Sequence, residues 1–147
     1  MLTQEEADYL LNLQKECLVP QILLPPPGEK ATFNVASYDR VEQFLLDVNR
    51  TGVIKFSRCT LQERYAVNEQ LVRLDLDASK PHVNPDQRVI RGPHIHIYKA
   101  GFNDAWAYPL VEFTDYQFSD TSNILQTFIE FCEFCNIEIT DGVQGTM

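Results

Sequence analysis

The sequence predicts a single α+β domain, a mainly antiparallel curved sheet of about five or six strands with an N-terminal and a C-terminal helix covering one face. Three observations carry this expectation. Apolar residues recur at threes and fours near both ends, they alternate with a period of two in the middle, and proline and glycine clusters punctuate the segments between.

At the N-terminal end, Thr3 and Glu6 have the S/T-x-x-E form of a capping box. Ala7, Leu10, Leu11, Cys17 and Leu18 follow at helical spacing, which predicts a helix over residues 4–17. Pro20 and the run Pro25-Pro26-Pro27-Gly28 stop any helix and favour extended or turning backbone. Strand-like composition then appears at 32–35, 53–58 and 71–76. In the last of these Val72, Leu74 and Leu76 oppose Leu71, Arg73 and Asp75, as in a sheet packed on one side. Residues 41–48 are ambiguous, because Val41, Phe44, Leu45 and Val48 would also line a short helix. Asn84-Pro85-Asp86-Gln87 and Gly101-Phe102-Asn103-Asp104 read as turns. A strand is expected at 94–99, and Pro109 confines the piece 106–110 to a sheet edge or end. Behind possible caps at Ser119, Asp120 or Ser122, the residues Ile124, Leu125, Phe128, Phe131, Cys132 and Cys135 mark a second helix. Ile137–Ile139 has the form of one more short strand. The domain is thus expected to span 1–139, with 140–147 a fraying tail.

A chain of 147 residues is long enough to bury about two-thirds of its unfolded surface in one core. No apolar run approaches the ~20 residues of a membrane span, so no membrane partner is expected. The acidic start, Gln4-Glu5-Glu6, is unlike a secretory leader, which gives a cytoplasmic expectation and reduced thiols at Cys17, Cys59, Cys132 and Cys135. The net charge of −9 disfavours general binding to a polyanion, although the cations between Arg50 and Lys99 make the middle locally basic.

All three histidines fall within fifteen residues: His82, His94 and His96. Strand alternation would put His94, His96 and Tyr98 on one face, with Ile95 and Ile97 anchoring the other. Two chemistries suit such a face. Paired imidazoles could act as acid and base in metal-independent RNA cleavage, with Tyr98 beside them and Arg91, Arg73 or Lys99 stabilising developing charge. They could also hold a metal, but no second ligand motif accompanies them. Cys132 and Cys135 have C-x-x-C spacing yet lie in a helical apolar stripe, so neither a metal nor a cofactor is assigned. Trp106 and Tyr108, with Phe102 and Tyr98, could form a stacking platform or fill a core or protein interface. Two function classes therefore stay open: a ribonuclease acting through the histidine pair on an RNA partner, and a non-enzymatic acidic interaction or inhibitor protein binding a protein partner.

The segments Leu46–Arg50, Lys55–Tyr65, Leu71–Asp75, Pro81–Asp86, Pro93–Lys99 and Trp106–Leu110 resemble an uncharacterised family of small bacterial proteins. The resemblance runs from Met1–Leu11 to Cys135-Asn136-Ile137. It implies a context of chromosomes and mobile elements and no established activity. A looser similarity, the paired histidines on a strand before a C-terminal helix, links the layout to ribonuclease toxins of toxin–antitoxin pairs, whose basic character this chain lacks.

Overall fold

The computed structural model describes residues 1–51, 59–76 and 80–145. The strand expected at 53–58 lies outside them. In chain order the elements are α1 (Gln4–Asn12), β1 (Lys15–Cys17), β2 (Ile22–Leu23), β3 (Lys30–Ser37), β4 (Gln43–Asn49), β5 (Thr60–Tyr65), β6 (Glu69–Asp75), β7 (His82–Val83), β8 (Val89–Ile90), β9 (His94–Ile97), β10 (Ala107–Pro109), a 3-10 turn (Leu110–Glu112), α2 (Ile124–Phe134), β11 (Ile137–Glu138) and β12 (Val143–Gln144). The class is α+β, with more strands than expected. Eight form one open sheet in the order β10-β9-β6-β5-β4-β3-β1-β11, and β2–β12 and β7–β8 form two small ladders. Pairing is antiparallel except for β1 with β11 and β2 with β12.

The capping box forms as the sequence predicts. Glu6 N–H donates to Thr3 Oγ1 and Thr3 N–H to Glu6 Oε1. The helix, however, ends at Asn12, and Lys15–Cys17 is a strand between β3 and β11. The reason is tertiary. Lys15 is fully buried, its Nζ lies 2.8 Å from Glu63 on β5, and it donates to the α1 carbonyls of Leu10 and Leu11. The last turn of α1 holds no cation of its own, so this lysine satisfies the orphan carbonyls from beyond the helix.

Residues 43–49 resolve to a strand. Phe44, Leu46 and Val48 are buried on one face, while Leu45 and Asp47 turn to the other. The N-cap of α2 is Asn123, whose side chain accepts from Gln126 N–H, and not Ser119, Asp120 or Ser122. Asp120 is instead engaged by the hydroxyl and N–H of Ser122. In the segment expected to fray, Val143 and Gln144 run beside Ile22 and Leu23, and Leu24 N–H donates to Gln144 O.

One core forms between the sheet and both helices. Ala7 and Leu10 of α1, Phe128, Phe131 and Cys132 of α2, and Cys135 at its C-cap pack with Val35, Phe44, Leu46, Leu61, Leu74 and Ile95 of the sheet. The two cysteines are thus core residues, and burial pushes both thiols well up. The opposite face is polar. One row runs Thr32, Asp47, Gln62, Arg73, His96 across five strands, and a second runs Lys30, Asn49, Thr60, Asp75, His94.

Candidate functional site

The histidine region lies on the polar face, at the β9–β10 end of the sheet. Ile95 pairs with Leu74 and enters the core, so His94 and His96, opposite Asp75 and Arg73, must project the other way. The hairpin β7–β8 turns over them through the predicted turn at Asn84–Gln87, where Gln87 N–H donates to Asn84 O. It delivers His82. Ring centroids then stand 4.7 Å apart for His82–His96, 5.0 Å for His94–His96 and 5.7 Å for His82–His94.

The three imidazoles therefore meet, but beneath neighbouring atoms and not in an open pocket. His94 is 3% exposed and His96 1%. His82 Nε2 donates to Ala105 O (2.8 Å), His94 Nδ1 to Gly92 O (2.9 Å) and His96 Nδ1 to Asp104 O (2.7 Å). A carbonyl only accepts, so these contacts fix each tautomer. The remaining nitrogen of His96, Nε2, accepts from Arg73 Nη2 at 3.0 Å. Burial, reinforced by the Arg73 charge, drops the His96 pKa to about 3. His94 Nε2 lies 3.8 Å from Asp75 Oδ2.

Tyr98 is not on this face. Regular pairing stops at Val72 with Ile97, and the next residue turns into the core. Tyr98 is 3% exposed there, its N–H donates to Leu71 O and its hydroxyl to Leu2 O. Arg91 is exposed before β9, and no hydrogen bond or ion pair joins it to the cluster among the described residues. Arg73 is engaged twice, its second contact being Nη1 to Asp104 Oδ2 at 3.0 Å. Lys99 sits with Nζ 4.4 Å from the Trp106 ring centroid, so a cation covers the surface where a base would stack. Phe102 meets Trp106 edge-on at 5.8 Å, and Tyr108 is exposed on β10.

Sequence reasoning missed Asn84. Its buried amide donates to Ala107 O and accepts from Ala107 N–H, both at 2.9 Å. Because β10 is an edge strand, the amide occupies the place of the next strand, and Pro109 has no N–H to offer. Nothing in a turn-forming asparagine announces such a clamp.

Beside the cluster, a concave stretch of the polar face encloses about 620 Å³ and is lined by Lys30, Arg64 and Arg73 among others, but not by His94 or His96. Two of these three cations are already paired with carboxylates. Arg64 grips Asp47 through Nε (2.6 Å) and Nη2 (2.9 Å), and Arg73 holds Asp104. Among the described residues no group of three or more His, Cys, Asp or Glu is arranged to hold a metal ion.

The fold and this site define an α+β protein with one open sheet, helices on one face and a sealed histidine cluster on the other. The chain belongs to the family of unknown function DUF6978, which it matches over residues 2–137. No curated protein and no solved structure matches it. Among the described residues no helix is long and apolar enough to cross a membrane.

Proposed function

We propose that this chain is a non-catalytic acidic interaction protein that binds a protein partner, the histidine cluster serving to fasten the 80–106 segment to the sheet. The observation that carries the reading is the state of the rings. A general base needs an available lone pair within reach of substrate. His96 spends Nδ1 on Asp104 O and Nε2 on Arg73, and it is 1% exposed. Charge supports the same reading. The chain is −9 overall, and Lys15, Arg40, Arg64, Arg73 and Arg88 are each paired with a carboxylate. The excess of carboxylates disfavours a phosphate backbone and suits a basic protein surface.

The test mixes the chain with fluorescent poly-arginine and, separately, with a single-stranded RNA, following anisotropy and RNA integrity. Expected are salt-dependent binding of the cationic polymer and intact RNA. RNA cleavage lost in both His94→Ala and His96→Ala would overturn the reading and return the cluster to catalysis.

A further inference from the structure

Two adjoining concavities, of about 350 and 290 Å³, run along α1 and share Tyr9 and Glu42, so they form one trough between the helix and the β3–β4 connection. Leu2, Leu10 and Tyr65 contribute apolar surface to it. Beside them stand side chains unusually exposed for their size: Tyr9 is 60% exposed, Tyr38 50% and Val41 70%. The rim carries Glu5, Glu6, Asp39 and Glu42, and among the described residues lining the trough there is no cation. The nearby Arg40 is held by Glu16 and by Ser37 O. Bonds from Thr3 keep the Glu6 carboxyl below its ordinary range, and bonds from Ser37 and Val41 do so for Asp39, so both stay ionised.

Building on the interaction reading, we infer that this trough receives an arginine-rich segment of the protein partner. The two halves of the surface match the two halves of that side chain. A guanidinium stacks on a tyrosine face and takes a carboxylate in a bidentate fork, while its aliphatic stem covers apolar surface. Lysine offers the charge without the plane. The nine residues of α1 span about 14 Å, the reach of about four residues of extended chain.

The test measures anisotropy of labelled peptides of about ten residues, four of them arginine, with lysine and glutamate versions as comparisons. The arginine peptide is expected to bind, the lysine version several-fold more weakly, and the glutamate version not at all. Tyr9→Ala, Glu5→Lys and Glu42→Lys should each weaken binding about tenfold or more, with circular dichroism unchanged, while Glu29→Lys, the same charge reversal elsewhere, should not. If Glu29→Lys weakens binding as much as the trough variants, the chain reads net charge only; the trough assignment falls and the interaction reading stands. If the arginine peptide does not bind, the trough assignment falls, and poly-arginine with RNA decides the broader reading.

Discussion

The guanidinium of Arg73 donates to Nε2 of His96 across 3.0 Å, while Nδ1 of the same ring donates to the Asp104 carbonyl. A proton on Nε2 would destroy the first bond and set an imidazolium against a guanidinium in a buried site; the Asp104 bond would persist but is outweighed, so the fold selects the neutral form. The folded pKa of about 3 lies below the ordinary 6.5, so the unfolded chain binds the proton more readily between those values. This stability is complete above about pH 6.5 and is lost as pH falls toward 3, with a slope of at most about 1.4 kcal/mol per pH unit. His96→Asn, which keeps a donor for Asp104 O, should flatten that limb in urea unfolding followed from pH 4 to pH 8.

His82 is the lid on the same ring. His82→Ala removes its bond to Ala105 O and one wall of the cluster, at an expected loss of about 1–2 kcal/mol. Opening His96 to water relieves the burial that depresses it. Its titration, followed by imidazole proton shifts, should therefore move up by about one unit or more. A His96 that titrates as before would mean that Arg73 alone sets its protonation.

Much of the scaffold could be read from local residues, because local residues dictate it. The Thr3–Glu6 capping box, the apolar stripe of α2 and the burial of Val72, Leu74 and Leu76 each report a short-range rule, whereas Leu71, expected on the other face, is also buried because the β5–β6 register shifts opposite it. Strand β1 could not be read, since Lys15 becomes a strand residue only by meeting Glu63 on a distant strand. Strands of two residues, such as β7, β8 and β11, are too short to show a period. For the site, the rings of His82, His94 and His96 do lie side by side, but alternation failed at Tyr98, where pairing ends. The sealing hairpin depends on Asn84 finding Ala107, which no spacing encodes.

That clamp gives a separate prediction. Asn84→Ala leaves the N–H and C=O of Ala107, itself 1% exposed, without partners, an expected loss of about 2–4 kcal/mol. Asn84→Asp keeps the acceptor for Ala107 N–H but sets a carboxylate against Ala107 O. It should match the alanine variant at neutral pH and recover part of the loss as pH falls to about 4, because burial against a carbonyl favours the protonated acid, which can donate. Urea midpoints at pH 4 and pH 7 distinguish the two.

The Lys15–Glu63 pair tests the buried side of the sheet. Both side chains are fully buried, and burial outweighs the lysine charge to hold the Glu63 pKa at about 7 against an ordinary 4.5. A raised folded pKa means that the contribution is complete below about pH 4.5 and is lost as pH rises through 7. Lys15→Met strands the carboxyl and orphans the Leu10 and Leu11 carbonyls, so the expected loss is about 3–5 kcal/mol at pH 8 and less at pH 5, where Glu63 holds its proton. Adding Glu63→Leu should remove this pH dependence and restore part of the stability, but not all of it, because the two helix carbonyls stay unpaired. Full recovery in the double variant would show that capping α1 is not a role of Lys15. Denaturant midpoints for wild type and the two variants at both pH values measure each outcome.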